Sequence, residues 1–355
     1  MTVLDTHAIT LTDVLARREI HSEYQPIVDL TSGEVVGNEA LARGPEGPWR
    51  TPDRLFHAAR EQGLVPALDL ACRDAALTGA AAHGVGSPLT LFVNVEPDTL
   101  DAVLPEATVA RHHDQTRDVR VVVEFTERAL GANPADLLRS VDQVHRLGWG
   151  VALDDVGAEP LSLAFMSLLR PDVVKLDLHL VQQQPDREVA RLMNAVNAYA
   201  ERSGAVIVAE GIETTAHLDL ARALGARLGQ GWLLGLPDPH PVPVTTGTGL
   251  QLPDQSGAHS SRRGSPFACL PPGLALRRSP KSLLIEVSKH LEREALRLGP
   301  TAIVAATFQQ ARHFHPGHRQ AVHRTGRACR VRVRARGRPG PGAPARRPGR
   351  RPVPR

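Results

Sequence analysis

The feature that most constrains the fold is a series of short apolar runs, each followed by a stretch with helical spacing. The first two runs lie in YQPIVDLTSGEVVGNEAL (24–41) and are joined by a Thr-Ser-Gly turn, which predicts a β-hairpin. From the fourth run onward the runs are continuously apolar, as in strands covered on both faces. The six runs after the hairpin are LTLFVNV (89–95), VRVVVEF (119–125), GVALDD (150–155), DVVKLDL (172–178), AVIVAEG (205–211) and ARLGQGW (226–232).

Eight strands with helical crossovers predict a closed barrel. PADLLRSVDQVHRLG (134–148), for example, carries apolar residues at helical spacing and ends at a glycine, as a crossover helix would. An open doubly wound sheet is the alternative, but no GxGxxG motif follows the first strand. We therefore predict the α/β class: a modified (β/α)8 TIM-type barrel with one antiparallel strand from the initial hairpin, a small C-terminal extension and a disordered tail.

Composition divides the chain into four parts. After a barrel domain at 10–242 comes a Pro-, Gly- and Ser-rich linker at 243–278. Residues 279–320 hold an amphipathic helix (279–299) and one strand (301–308). The apolar residues at helical spacing are Leu283, Leu284, Val287, Leu291, Ala295 and Leu298. Residues 321–355 are built mainly of Arg, Pro, Gly and Ala, and we expect them to be disordered.

The positive formal charge of the whole chain comes from residues 321–355, and the rest of the chain is acidic. Residues 321–355 contain twelve arginines and no Asp, Glu or Lys; subtracting them from the formal net charge of +4 leaves −8 for residues 1–320. Such a tail is typical of an arm that binds nucleic acid or acidic lipid. The interpretation we favour is that of high-GC coding sequence in the wrong reading frame, which makes nucleic acid an improbable partner. Aromatic residues at 3% also argue against a base-stacking platform.

The cysteines and the N-terminal segment predict a cytoplasmic location. The three cysteines form no CxxC and cannot all pair, which fits a reducing compartment. The first twenty residues lack the layout of a signal peptide, and no run approaches the length of a membrane helix.

Acidic and amide residues stand at the ends of the predicted strands. In a barrel these ends converge on one face, where active sites lie. Carboxylates gathered without a cation would repel one another, and oxygen ligands without His or Cys favour Mg²⁺ or Mn²⁺ over zinc. The residues are Glu39, Asn94, Glu124, Asp154, Asp155, Asp177, Glu210 and Gln230, with Lys175 inside its run.

These residues lie in motifs that resemble the EAL domains, a family of cyclic-di-GMP phosphodiesterases. NEALAR (38–43), preceded by YQPIVDL, resembles the family signature. The resemblance covers roughly residues 10–240 and continues in order through FVNV (92–95), EFTE (124–127), LDD (153–155), VVKLD (173–177), AEGIE (209–213) and GQGWLLGLP (229–237).

The resemblance implies a role for each matching residue. Glu39, Asn94, Glu124 and Asp154 would bind one divalent cation, and Asp154 would bridge to a second one on Asp155. Glu210 would be the general base, Lys175 would orient the attacking water with support from Asp177, and Gln230 would complete the surroundings. Arg43 would contact a substrate phosphate, with Gln25 and Glu213 near the guanine. Cyclic-di-GMP would be hydrolysed to linear pGpG, and a homodimer is expected.

One stretch departs from the family pattern. EAL domains usually continue from the paired aspartates as DDFGTGYSSL, whereas this chain reads DDVGAEPLSL (154–163). In the family this loop positions the second cation and is braced by a residue that corresponds to Glu127. Losing Thr and Gly removes a hydroxyl and a flexible φ, and Pro160 stiffens the turn. The alternative function is therefore a catalytically weak or inactive cyclic-di-GMP receptor.

Several of these residues also have plainer interpretations. Arg43 could pair with Glu46, Glu213 could be a carboxylate favoured by a helix dipole, and Gln25 could cap its own turn. Residues 266–320 faintly resemble the start of a DICT sensory domain, but too short a stretch matches to bury a core of its own.

Overall fold

The structure, a computed structural model, divides into two compact units, Met1–Arg278 and Ser279–Arg355. It describes residues 9–83, 90–96, 99, 119–126, 134–158, 162–241, 249–252 and 280–298. The strands are β1 (His21–Asp29), β2 (Val35–Arg43), β3 (Thr90–Asn94), β4 (Arg120–Thr126), β5 (Gly150–Val156), β6 (Val173–Leu176), β7 (Val206–Ala209) and β8 (Leu228–Gly229). The helices are α1 (Leu11–Ala16), α2 (Pro52–Gln62), α3 (Val65–Ala82), α4 (Pro134–Arg146), α5 (Ser162–Leu169), α6 (Leu178–Gln182), α7 (Arg187–Ser203), α8 (Thr215–Ala223) and, in the second unit, α9 (Lys281–Leu298).

The eight strands close into a barrel in chain order. β1 is antiparallel to both of its neighbours, β2 and β8, and every other neighbouring pair is parallel. The predicted barrel with one antiparallel strand is therefore confirmed. β8 is shorter than its apolar run because the chain turns at Gly231, where a Cβ would lie 2.3 Å from the backbone of Ile212.

The barrel interior is filled by one apolar side chain or more from almost every strand. The residues from the strands are Ile27, Phe92, Val122, Ala152, Val173, Val206, Val208 and Leu228, and Leu250 joins them from the segment after β8. Phe92 lies against Gly37 of β2, where a Cβ would meet the Phe92 ring at 3.3 Å and the Thr90 carbonyl oxygen at 2.6 Å. A glycine at this position therefore leaves the room that the aromatic ring fills.

Two further apolar clusters surround the barrel. The larger lies between the outer faces of the strands and helices α3 to α8, with fully buried residues such as Phe125, Leu153 and Val196. The smaller joins α1, α2 and α3 through Leu11, Leu55 and Leu68. The helices therefore cover the faces of the strands that do not line the barrel, which explains the continuously apolar runs in the sequence.

Leu250 belongs to the barrel core although the sequence predicts a linker over 243–278. Its side chain is 1% exposed among the interior residues, and the Arg120 guanidinium donates a hydrogen bond to its carbonyl oxygen. Leu252 packs against the same cluster. A boundary at residue 242, drawn from composition alone, thus leaves out residues that pack inside the barrel.

We expect Leu250→Ala to lower the free energy of unfolding by about 2–5 kcal/mol, because a buried side chain is lost from a closed interior. Urea titration followed by circular dichroism measures the change. Leu283→Ala is the control, since Leu283 in α9 is 52% exposed and little burial is lost. Equal stability of the two variants would mean that residue 250 contributes nothing to the core.

The second unit is described only by α9, which confirms the predicted helix. Leu283, Leu284, Val287 and Leu291 are about half exposed (44–61%). The side chains of Ala295 and Leu298, the predicted strand at 301–308 and the basic tail lie outside the described residues. No helix in the described part of the chain is long and apolar enough to span a bilayer.

Candidate active site

The predicted site residues form the layer next to the barrel interior, towards the carboxyl ends of the parallel strands. Side chains alternate along a strand, so a residue two positions beyond an interior residue faces the barrel axis too. Glu39 stands in this relation to Gly37, and Gln25 to Ile27 on the antiparallel β1. The other members of the layer are Asn94, Glu124, Asp154, Lys175, Glu210 and Gln230, which follow Phe92, Val122, Ala152, Val173, Val208 and Leu228.

Lys175 is the centre of this layer. Its fully buried ammonium lies 2.7 Å from Glu210 Oε1, 2.8 Å from Glu124 Oε1, 3.2 Å from Glu39 Oε2 and 3.4 Å from Asp154 Oδ1. Burial by itself would lower the pKa of Lys175, but the surrounding carboxylates raise it well above its ordinary value. Lys175 is therefore a fixed positive charge that four carboxylates share.

One ammonium does not balance four carboxylates. Burial raises the pKa of Glu124 well above its ordinary value, and the charge of Glu39 raises it further. Burial likewise raises the pKa values of Asp154 and Glu210, and these two carboxylates repel each other. The charged forms of these three carboxyl groups are therefore costly beside a single ammonium, and a further bound cation would stabilise them.

Glu39 is held by amide side chains. Asn94 Nδ2 donates to Glu39 Oε1 at 2.8 Å, and Gln230 Nε2 donates to Glu39 Oε2 at 2.8 Å and to Gln25 Oε1 at 2.9 Å. Burial would raise the Glu39 pKa, but Lys175 and these two amides together lower it. Because Asn94 uses its amide nitrogen towards Glu39, its oxygen remains able to act as a ligand.

A β-bulge brings Asp154 and Asp155 to the same site. Neighbouring residues of a regular strand point to opposite faces, but the β5–β6 register shifts between Leu153 and Val156 and inserts one extra residue. Asp155 has φ 56°, in the left-handed region that few residues other than glycine adopt. As a result, carboxylate oxygens of Asp154, Asp155 and Glu210 all lie within 4.8 Å of one another.

The donor set fits a divalent cation. All the converging donors other than Lys175 are carboxylate or amide groups, which suit hard cations such as Mg²⁺ and Mn²⁺. Glu124 Oε2 is buried and has no hydrogen-bond partner within the described residues. A buried carboxylate oxygen without a donor is costly, and a metal ion in contact with it would remove that cost.

The structure does not bring Asp177 to Lys175. The Asp177 carboxylate accepts from the backbone N–H of His179 at 2.8 Å, is 2.7 Å from His179 Nδ1, and caps the start of α6. In the described part of the chain it makes no ion pair with the lysine. Its side chain therefore stabilises the first turn after β6 rather than the ammonium group.

Arg43 pairs with Glu23, not with Glu46: its Nε donates to Glu23 Oε2 at 2.7 Å. Glu46 lies 3.3 Å from Arg50 Nε instead.

Glu213 is exposed and immediately precedes Thr214, the N-cap of α8, so it stands near a helix start but outside the buried layer. Glu127 and the loop positions 159–161 lie outside the described residues.

A cavity of about 310 Å³ adjoins this layer. It lies between the carboxyl ends of β2 to β4 and the first turns of α2, and Asn94 is on its wall. The other lining residues that matter here are Leu41, Ala42, Pro52, Phe56 and Thr126. Asn94 is the one member of the site layer among the lining residues, so the cavity reaches the edge of this layer.

Sequence reasoning missed Glu23 and Arg50. Glu23 lies on β1 two residues before Gln25, hence on the same strand face, and it binds both Arg43 and Arg50. The alternation of the strand could have identified Glu23. Arg50 lies in the connection between β2 and α2, where no periodicity predicts the direction of a side chain.

The altered loop leads to a prediction about metal affinity. We expect the activity that the EAL resemblance implies to need a high Mg²⁺ concentration and to be rescued by Mn²⁺, which binds N/O ligands better. Replacing Val156, Ala158, Glu159 and Pro160 by Phe, Thr, Gly and Tyr should lower the divalent-ion concentration that gives the half-maximal rate. This concentration is measured by following the initial rate while each metal ion is titrated into the reaction.

The structure adds a control for that variant. Val156 is fully buried, so Phe at this position overpacks the core, whereas Ala158 is exposed and accepts Thr freely. The triple variant Ala158→Thr, Glu159→Gly, Pro160→Tyr therefore separates loop flexibility from core packing. If the wild type already saturates at low Mg²⁺ and neither variant improves on it, the loop differences are neutral.

The fold and the site define a class: (β/α)8 barrels that gather oxygen ligands for divalent cations at the carboxyl ends of the strands. The family model of the EAL domain matches residues 9–237, and this chain belongs to the EAL domain family.

Individual relatives agree with this assignment. The chain is 30% identical over 233 residues to the probable cyclic di-GMP phosphodiesterase PdeB of Escherichia coli K12, covering 63% of this chain and 43% of PdeB. The match thus spans less than half of that protein. A structure of the PaMucR phosphodiesterase in complex with c-di-GMP has a TM-score of 0.57 at 26% identity and covers 64% of this chain and 96% of its own. A manganese and c-di-GMP complex of Klebsiella pneumoniae BlrP1 has a TM-score of 0.55 at 26% identity and covers 62% and 56%.

Proposed function

We propose that this protein is a metal-dependent phosphodiesterase that hydrolyses one phosphodiester of cyclic-di-GMP to linear pGpG. The observation that carries the proposal is the convergence of Asp154, Asp155 and Glu210 oxygens beside the buried layer around Lys175. Membership of the EAL family and the c-di-GMP complexes of PaMucR and BlrP1 supply the substrate class.

The residues divide the metal ligation between them. We assign Glu39, Asn94, Glu124 and Asp154 to one divalent cation, Mg²⁺ or Mn²⁺, and Asp154 with Asp155 to a second. Bound cations supply a more acidic water and neutralise the charge that develops on the phosphate.

The remaining residues act on the water and the substrate. Glu210 accepts the proton of the attacking water, Lys175 orients that water, and Gln230 holds Glu39 in place. The water oxygen forms a bond to phosphorus while the P–O3′ bond breaks, which leaves a 5′-phosphate and a 3′-hydroxyl that takes up a proton. Arg43 contacts a phosphate oxygen, and Gln25 and Glu213 are assigned to the guanine side of the substrate.

The direct test incubates the purified full chain with cyclic-di-GMP and either Mg²⁺ or Mn²⁺ and separates the products by chromatography. Formation of pGpG that requires the metal supports the proposal. Binding of cyclic-di-GMP without any product would instead assign the chain to the receptors of this family. Failure of the metal-loaded protein both to bind and to hydrolyse the nucleotide would reject the substrate.

We further propose that the reaction takes place in the cytoplasm and that the active form is a homodimer. The support for the first is that the three cysteines form no CxxC and cannot all pair, and for the second the family alone. Size-exclusion chromatography with light scattering tests the dimer directly.

A further inference from the structure

Two arginines share one carboxylate at the edge of the candidate site. Glu23 Oε2 lies 2.7 Å from Arg43 Nε, and Glu23 Oε1 accepts from Arg50 Nη2. The Glu23 side chain is only 11% exposed, against 17% for Arg43 and 33% for Arg50. The guanidinium groups are thus held side by side by a largely buried anion. We call Glu23, Arg43 and Arg50 the arginine cluster.

Strand register places the arginine cluster directly beyond the buried layer. Glu23 pairs with Leu41 in the β1–β2 ladder, two residues further towards the carboxyl end of β2 than the Gln25–Glu39 pair. Two residues of a strand span roughly 7 Å. Glu23, like Gln25, therefore faces the barrel axis, one layer nearer to the open face. Arg50 stands two residues before Pro52, which lines the 310 Å³ cavity.

The arginines keep donors that their partners do not use. A guanidinium has five N–H donors in a fixed fork. Arg43 uses one towards Glu23 and one towards the Ala42 carbonyl oxygen, and Arg50 uses three, towards Glu23, Glu46 and His21. Three N–H groups of Arg43 and two of Arg50 thus have no partner among the described residues.

The charge of the arginine cluster favours an anion. Burial would raise the pKa of Glu23, but the hydrogen bond from Arg50 and the charge of Arg43 lower it, so Glu23 is ionised at neutral pH. One inner carboxylate therefore faces two guanidinium groups. The other acidic contact, Glu46, is 91% exposed, so solvent and salt screen its charge.

We propose that Arg50 is a second phosphate-binding guanidinium, which contacts the phosphodiester backbone of the substrate beside Arg43, with Glu23 as the positioning residue for both. This inference rests on the proposed function, because cyclic-di-GMP is the anion that would enter the site. Paired guanidinium groups suit a phosphate, since each presents a planar fork to its oxygens.

The test compares steady-state kinetics of the wild type, Arg50→Ala and Arg50→Lys with cyclic-di-GMP and Mn²⁺. We expect Arg50→Ala to raise KM about tenfold and to leave kcat within about twofold, because a contact made equally before and during the reaction affects binding only. The KM of Arg50→Lys should lie between the KM values of the wild type and Arg50→Ala, since lysine keeps the positive charge but lacks the planar fork of N–H donors. Raising the salt concentration should narrow the difference in KM between Arg50→Ala and the wild type.

Arg227→Ala is the matched control. Arg227 pairs with Asp29, at 3.4 Å, at the opposite end of the same strand β1 and therefore at the other rim of the barrel. It should change neither KM nor its salt dependence. A KM for Arg50→Ala that equals the wild-type value overturns the inference. A rise in KM for Arg227→Ala as large as that for Arg50→Ala overturns it too. A loss of kcat together with a lowered melting temperature would make Arg50 a structural residue only and would also overturn it.

Calorimetric binding of cyclic-di-GMP separates this inference from the proposed function. If the wild type binds but does not hydrolyse the nucleotide, the proposed hydrolysis fails, and a roughly tenfold higher Kd for Arg50→Ala would still support the phosphate contact. If the wild type hydrolyses it and Arg50→Ala has an unchanged Kd, only the contact fails. If the wild type neither binds nor hydrolyses it, both are rejected.

Discussion

Asp154→Asn should reduce the hydrolysis of cyclic-di-GMP by about a thousandfold or more and leave the protein folded. Asp154 is the residue assigned to both cations, and a bound metal supplies several kcal/mol to the transition state of phosphoryl transfer. Because burial raises the Asp154 pKa, its charged form is unfavourable in the metal-free protein. The neutral amide should therefore not lower the melting temperature measured without metal.

The control is Asp219→Asn, which removes an exposed carboxylate that lies 3.8 Å from Arg222 in α8. Product formation by chromatography, cyclic-di-GMP binding by calorimetry and thermal unfolding are measured on both variants. We expect binding to persist in Asp154→Asn, because Arg43 and the amide residues remain. More than about a tenth of the wild-type rate in this variant would show that the metal site is misplaced.

Lys175→Met should abolish activity and strongly destabilise the metal-free protein. Its ammonium contacts four carboxylates inside the barrel. Removal of one partner from a buried ion pair typically costs about 3–5 kcal/mol, because the remaining charge is left uncompensated. Urea titration without metal measures this loss. Addition of Mn²⁺ should restore part of the stability, since the cation replaces some of the missing positive charge.

Two further variants keep this prediction testable if Lys175→Met does not fold. The double variant Lys175→Met, Glu124→Gln removes the ammonium together with one of the carboxyl groups that it contacts, and should be more stable than the single variant. Lys289→Met, on the exposed face of α9, should not change the unfolding midpoint. If Lys175→Met matches the wild type in stability without metal, the ammonium does not hold the carboxylates together.

Much of the barrel and of the site could be predicted because both depend on the period of the strands. The apolar runs predict the strands, and a polar residue two positions after an interior apolar one must share its face, as Glu124 does after Val122 and Lys175 after Val173. These relations are local along the chain, so they can be derived from the amino-acid sequence alone. The difference between the loop after Asp155 and the family pattern can likewise be recognised from the sequence alone.

Other features depend on contacts between distant segments and could not be predicted from the strand period. Strand periodicity alone would send Asp154 and Asp155 to opposite faces; the family resemblance implied that both are ligands, and a bulge against β6 is what brings both to the site. Asp177 was expected beside Lys175, but the start of α6 offers backbone N–H groups nearer to its carboxylate. Leu250 lies in a stretch with the composition of a linker, yet its side chain packs among the interior residues of the barrel.

The sequence by itself determined the number and order of the strands, the antiparallel hairpin and the oxygen-rich character of the site. Only the tertiary structure decided how the charges are distributed: Lys175 lies among four carboxylates, and Glu23 holds Arg43 next to Arg50. The physical reason is the range of the interactions. Strand alternation is set by neighbours along the chain, whereas the position of a charge depends on which other charges folding brings within a few ångströms, in a medium that screens them less than water does.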